Sequence, residues 1–149
     1  MQKKGNKYGT HRVIEPKGVL PQPALKLDND MREIYDNEIL CDVITLNVDS
    51  ASFKAILDHA KGKDEKIKEI MLGIVAERGK HQNPWTGSGG MFIGRVNKIG
   101  DALKDKIGLH EGDKIASLVS LSLTPLRIDK IVAIHKQNDQ VDIKGQAIL

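Results

Sequence analysis

From Met91 onward the chain is a string of β-branched and aliphatic runs broken by short turns, and this pattern limits the fold more than any other feature. MFIGRVNKI (Met91 to Ile99) ends at Gly100-Asp101, and DKIASLVSLSL (Asp113 to Leu123) stops at Pro125. LRIDKIVAIH (Leu126 to His135) and QVDIKGQAIL (Gln140 to Leu149) follow. Consecutive strands joined by turn residues, with no helical period between them, fit a small barrel or sandwich. Aromatics make up only 3% of residues (Tyr8, Tyr35, Phe53, Trp85 and Phe92), so the core must rest on Ile, Leu, Val and Met. A length of 149 residues suits one domain with a sizeable core.

Upstream, the pattern is mixed. Residues 1–35 are broken by Pro16, Gly18, Pro21 and Pro23 and are expected to be irregular, with HRVIE (His11 to Glu15) a short strand and LPQPALKLDND an extended connection. DNEILCDVITLNVD (Asp36 to Asp49) reads as a strand with apolar residues on both faces, so both faces are expected to be covered. Asp49-Ser50 opens a helix carrying Phe53, Ile56, Leu57 and Ala60 and ending at Gly62. A second helix is expected from an Asp64 N-cap to a Gly79 C-cap, with Ile67, Ile70, Met71, Ile74 and Val75 as its apolar stripe. Gly73 inside it should mark close packing or a weak point. The fold class is therefore mostly β with two or more helices. The expected divisions are an irregular segment 1–35, a strand plus helices in 36–80, and a strand-rich barrel in 81–149.

A net charge of +3, with Lys and Asp/Glu interspersed, provides no basic stripe for nucleic acid. No run of about 18 apolar residues suggests a membrane span. The basic start MQKKGNKYGTHR has no apolar stretch behind it and does not read as a secretory signal. One cysteine, Cys41, cannot form an internal disulfide, and a reducing cytoplasm is the expected setting. Cys41, His11, His59, His81, His110 and His135 fall in no metal-ligand spacing, and Cys41 in mid-strand reads as a core residue, so no metal is expected.

HQNPWTGSGGMFIGRV (His81 to Val96) raises the question of chemistry, with four glycines at positions 87, 89, 90 and 94. A dinucleotide fingerprint needs strand, G-x-G-x-x-G, then helix, whereas here Gly87-Ser88-Gly89-Gly90 precedes a strand. Phosphate binding is therefore disfavoured, since no helix follows to present its N-terminus. Ser88 does not meet the G-x-S-x-G elbow and reads equally as a turn residue. His81 reads as a loop histidine or a proton acceptor. Asp49 and Ser50, just past a buried strand, either cap the helix or deliver polar groups into a site.

The order of these motifs resembles the GroES-like catalytic domain of the medium-chain dehydrogenases. EILCDVITLNVDSASF is similar to its first strand and turn, Gly89 to Gly100 to its G-H-E-x-x-G-x-V-x-x-x-G motif, and Gly112-Asp113-Lys114-Ile115 to its G-D-x-V turn. More narrowly, GTHRVIEPKGVLPQPALKLDND, DSASF, ERGKHQNP-x-TGSGGM and GDKIASLVSLSLTPL resemble the N-terminal half of the L-erythro-3,5-diaminohexanoate dehydrogenase family. That resemblance implies a GroES-like, partly open β-barrel. It also implies NAD-dependent oxidative deamination of L-erythro-3,5-diaminohexanoate to 5-amino-3-oxohexanoate in lysine fermentation. Asp49, Gly90 and Met91 stand where zinc-dependent relatives place ligands, so the resemblance also implies a zinc-free site.

No G-x-G-x-x-G followed by a helix occurs, so the Rossmann domain is expected to be missing, the chain to be a fragment or split-gene product, and NAD to belong to the full-length parent. A dinucleotide-binding domain in cis or in trans is then the expected partner, and the alternative is a non-catalytic GroES-like subunit or remnant docking on such a chain. Exposed apolar edges would make a homo-oligomer plausible. The site this implies has Asp49 pairing with a substrate ammonium group, Ser50 or Ser52 passing a proton or holding water, and His81 accepting a proton. Ser88 and the bare backbone of Gly87, Gly89 and Gly90 would allow close approach of substrate and nicotinamide.

Overall fold

A computed structural model describes residues Met1–Leu149. The chain runs β1 (Val13–Glu15), β2 (Lys26–Leu27), β3 (Ile39–Val48), α1 (Ser50–Ala60), α2 (Asp64–Arg78), β4 (Gly90–Ile99), β5 (Lys114–Ser117), β6 (Leu126–His135) and β7 (Gln140–Ile148). β1 and β2 form a small antiparallel pair, and the other five strands form one antiparallel sheet in the order β5-β4-β3-β7-β6. The molecule is thus mostly β with two helices, and the main sheet does not close into a barrel, because β5 and β6 are its edges. β3 lies at its centre, so the strands after residue 81 do not make a unit of their own. No helix is long and apolar enough to cross a membrane.

The expected cover on both faces holds at the start of β3, where Leu40 packs with Met31, Ile34 and Ile148 apart from the main core, and farther along the apolar positions have a second cause. Cys41 and Val43 are buried, and so are Leu46 and Val48, so the buried positions change from odd to even. The register slips by one residue between Val43 and Thr45 on both sides, the extra residue lying in β3 against β4 and in β7 against β3, and the side of β3 that faces the core changes there. Val43 is flanked by glycine on each side, Gly94 in β4 and Gly145 in β7, where a Cβ would run into Asp42 O and Arg127 O respectively. Only one face of the sheet is covered by helices. Phe53 and Ile56 of α1 and Ile67, Met71 and Val75 of α2 join Cys41, Leu46, Phe92, Val141 and Ala147 in the main core. The other face is laced by polar side chains. Asn97 of β4 (3.1 Å) and Gln146 of β7 (2.9 Å) both donate to Asp42 of β3, and Arg127 of β6 donates to Gln146 (3.0 Å).

The DKIASLVSLSL run is not one long strand. β5 ends at Ser117, and Leu121–Leu123 form a 3-10 turn. Ser117 Oγ accepts from the Val119 N–H (3.1 Å), Ser120 Oγ accepts from the Ser122 N–H (3.2 Å), and Thr124 Oγ1 donates to Ser120 O (2.8 Å). Such hydroxyl-to-backbone bonds draw the backbone away from a ladder. The α2 start also shifts by one residue: Lys63 is the N-cap, and Asp64, in the first turn, pairs with Lys136 at 2.7 Å.

The first 35 residues are irregular, yet they are held by a buried charge pair. The Arg12 guanidinium donates from Nε and Nη2 to the two carboxylate oxygens of Glu38, each at 2.8 Å. It also donates to the carbonyls of Asp30 (3.0 Å) and Glu33 (3.1 Å), while Glu38 accepts from the Tyr35 N–H (2.7 Å). Burial pushes the Glu38 carboxyl up, and the bonds from Arg12, Tyr35 and His11 outweigh it, leaving it below its ordinary range. This segment lays Met31 and Ile34 on Leu40 and Ile148, and Asn29 donates to Leu126 O at 2.8 Å.

Between α2 and β4 the chain passes through the interior. Gly79 ends α2 with φ 67°, packed where a Cβ would strike Leu27 O. Lys80 and His81 follow, both fully buried. Lys80 Nζ donates to the carbonyls of Pro21 (2.8 Å) and Gln22 (3.1 Å), and burial, with help from the Arg78 charge, lowers its amine to about 8. His81 makes no hydrogen bond to any other residue through either ring nitrogen, and burial lowers it to about 4.

Two outcomes follow from these packing facts. Gly73 lies exposed, with nothing within 4 Å of an added Cβ, so it marks neither close packing nor a required conformation. Gly73→Ala should raise unfolding free energy by about 0.5–1 kcal/mol in chemical denaturation. His81 titrates near 6.5 in an unfolded chain and near 4 when folded, so between those values the unfolded chain binds more protons and stability falls as pH falls. The loss across that window is on the order of 3 kcal/mol. In thermal unfolding scans between pH 6.5 and 4.5, His81→Leu should flatten the profile relative to the unsubstituted chain.

Candidate functional site

At the C-terminal end of β3 the chain turns sharply into α1, and the start of β4 lies beside it. The Asp49 N–H donates to Gly89 O (3.0 Å), which joins this turn to the glycine loop. Here a shallow cleft of about 590 Å³ is lined by Asp49, Ser50, Gly87 to Met91, Gln22, Leu118, Ser120 and Ser122. Six of the residues singled out in the sequence, Asp49, Ser50, Gly87, Ser88, Gly89 and Gly90, therefore share one site.

Asp49 occupies the N-cap position of α1, but its side chain makes no capping hydrogen bond. An N-cap carboxylate ordinarily accepts from the first free N–H groups of the helix. Asp49 is exposed at the cleft instead, which leaves its charge available to a ligand. Ser50 Oγ donates to Asp139 Oδ2 (2.9 Å), tying α1 to the β6–β7 turn. Ser88 Oγ lies 2.7 Å from Thr86 Oγ1 and is half-buried in its own turn.

Ser52 and His81 lie elsewhere. Ser52 is fully buried, and its hydroxyl accepts from Asn83 Nδ2 at 3.0 Å. The expected substrate contact at Ser52 is thus revised to support of the loop. Asn83 accepts through Oδ1 from the N–H groups of Trp85 (2.8 Å) and Thr86 (3.2 Å), and its backbone carbonyl accepts from the Gly87 N–H (2.8 Å). It fixes the whole turn before the glycines. Trp85 then stacks on His59 of α1, with ring centroids 3.6 Å apart and planes 8° from parallel. His81, sealed in the core, has no route to a proton at the cleft surface without local opening.

The glycines also have an internal reason. A Cβ on Gly90, at φ 138°, would strike Asn47 O, and one on Gly89 would crowd Ser122 N and Leu121. These two residues let β3, β4 and the serine turn approach one another, while Gly87 supplies a left-handed turn at φ 72° with open space around it. The loop does meet a helix N-terminus in space, that of α1, which its position ahead of a strand concealed. Asp49 stands at that terminus, and its carboxylate opposes a phosphate there, so the residues present do not fit dinucleotide phosphates.

No group of three His, Cys, Asp or Glu side chains converges as metal ligands. Cys41 is buried in β3, and burial, with the Asp42 charge adding to it, pushes its thiol up to about 12. A larger cavity of about 890 Å³ lies at the opposite end of the sheet. Among its lining charges Arg32 pairs with Asp30 at 2.6 Å and Lys104 with Asp101 at 2.9 Å, while Lys3, Glu33 and Lys98 form no ion pair. Gln22, Asn83, Ser120 and Ser122 were not singled out from the sequence. The only signal for the serines was their spacing within an apparent strand, where polar residues recur among apolar ones.

Residues 11–149 match the family described as L-erythro-3,5-diaminohexanoate dehydrogenase N-terminal domain. A protein of Fusobacterium nucleatum subsp. nucleatum named L-erythro-3,5-diaminohexanoate dehydrogenase is 67% identical over 147 residues, and one of the same name from Acetoanaerobium sticklandii is 64% identical over 146. These alignments take in 99% and 98% of this chain but 42% of each relative's length. The Asp49 turn, the glycine loop and the cleft between them thus belong to a chain that is a member of the L-erythro-3,5-diaminohexanoate dehydrogenase N-terminal domain family.

Proposed function

We propose that this chain forms the substrate-binding wall of a cytoplasmic, zinc-free, NAD-dependent enzyme that oxidatively deaminates L-erythro-3,5-diaminohexanoate to 5-amino-3-oxohexanoate, releasing ammonia. The observation that carries the proposal is the Asp49 carboxylate, held at a rigid strand-to-helix turn, unused as a cap and open to the cleft. A diamino acid carries two ammonium groups, and a partly desolvated carboxylate both binds such a group and orients it. The names of the relatives and the extent of identity support the substrate class. The open five-stranded sheet is compatible with a GroES-like catalytic domain, in which a dinucleotide-binding domain completes the cleft.

In this reading Asp49 orients one ammonium group, while Ser50 and the Gly87–Gly90 backbone shape the wall against which the substrate lies. The dinucleotide site is not built from these residues, and hydride transfer is assigned to no side chain described here. In an enzyme carrying this chain as its N-terminal domain, Asp49→Asn should lower kcat/KM for the diamino acid at least tenfold. A change within about threefold, under 1 kcal/mol, would exclude Asp49 as a substrate-binding group. Titration of NADH into the chain alone should give no micromolar binding, and such binding would overturn the view that this chain lacks the cofactor site.

A further inference from the structure

We infer that Gln22 is a specificity-determining residue that binds the substrate carboxylate in the cleft that Asp49 also lines. This inference rests on the diamino-acid reading of the same cleft. The cleft is lined by one carboxylate and by neutral polar groups, with no Lys, Arg or His among them. An acidic substrate must therefore find neutral donors for its carboxylate on this wall. Most of the polar side chains are already engaged, Ser50 with Asp139, Ser88 with Thr86, and Ser120 with Ser122, while Asn47, half-buried at the end of β3 beside Asp49, has a buried Oδ1 with no partner and stands next to the carboxylate that would repel an acid.

Gln22 is different because it is pinned at three points and still has donors to spare. Its backbone carbonyl accepts from the fully buried Lys80 Nζ (3.1 Å) and from Gln82 Nε2 (3.4 Å). The same Gln82 amide donates to Gly87 O (3.1 Å), which ties Gln22 to the glycine loop. Its side-chain Oε1 accepts from Ser122 Oγ at 2.6 Å, and Ser120 Oγ stands 2.7 Å from that hydroxyl. With Ser122 Oγ donating to Oε1, the amide nitrogen is left without a hydrogen-bond partner. Both N–H bonds of Nε2 remain for a ligand, and an amide offers a carboxylate oxygen donors without the charge that would also repel the substrate's ammonium groups. In this arrangement the ammonium of a β-amino acid lies at Asp49 and its carboxylate at Gln22.

The test is an NMR titration of the 15N-labelled chain with L-erythro-3,5-diaminohexanoate and with pentane-2,4-diamine, which keeps the 1,3-diamine and lacks the carboxylate. The Gln22 side-chain amide signals should shift with the acid and not with the diamine. Gln22→Leu should weaken the acid at least tenfold and leave the diamine within threefold. Gln22→Glu, which keeps an acceptor for Ser122, should weaken the acid at least as much while the Ser122 signals stay in place. Equal weakening of both ligands, or no shift at Gln22 on adding the acid, would overturn the inference. Turnover of the diamino acid is measured separately in an enzyme carrying this chain as its N-terminal domain, so intact turnover with an indifferent Gln22 removes this inference alone, and absent turnover there removes the functional reading.

Discussion

The Arg12–Glu38 pair is the constraint on which the rest of the molecule depends. Thirty-five residues with almost no regular structure would not stay on a sheet by backbone pairing, since β1 and β2 bond only to each other. A buried guanidinium and carboxylate, each with its remaining donors or acceptors taken by Asp30, Glu33, Tyr35 and His11, fasten the segment to the start of β3. Such a pair is costly to desolvate and tolerable only when every group is bonded, which makes it a demanding and specific anchor. Once the segment is fastened there, its path carries Pro21 and Gln22 over Lys80 to the edge of the cleft.

Much of the fold was legible because long aliphatic runs and glycine stops speak directly to backbone geometry. LRIDKIVAIH coincides with β6, and the second helix ends at Gly79 as its left-handed cap requires. What was not legible came from competition among local effects. The serines after β5 bond to nearby backbone and convert an apparent strand into a turn. The mixed faces of β3 come from two sources, the Met31–Ile34 cover on Leu40 and the change of register between Val43 and Thr45. The strand pattern fitted a barrel or a sandwich and the family resemblance a partly open barrel, and neither determines whether the edges of this sheet meet.

The site was half legible for a related reason. Asp49 and the Gly87–Gly90 loop stand out by residue type, and the sheet brings them together through the pairing of Val48 with Gly90. His81 and Ser52 carry equally suggestive chemistry and lie inside, because burial depends on the whole fold and not on the side chain. Gln22 carries no local signal at all. Its placement depends on partners about a hundred residues away, such as Ser122, and on a lysine that looks like any surface cation in the text.

The bulge in β3 has a further consequence for how the cleft is aimed. The first part of the strand is oriented by its covering segment and by Gly94 and Gly145, while the last part carries Asp49 into the turn. The two parts are out of phase by one residue, so the direction in which Asp49 leaves the sheet is decided near Ile44, several residues upstream of any group that could touch a ligand. Removing that one residue would preserve the composition of the cleft while turning the end of the strand over. The aim of the cleft would then rest on an inconspicuous aliphatic position that does not line it.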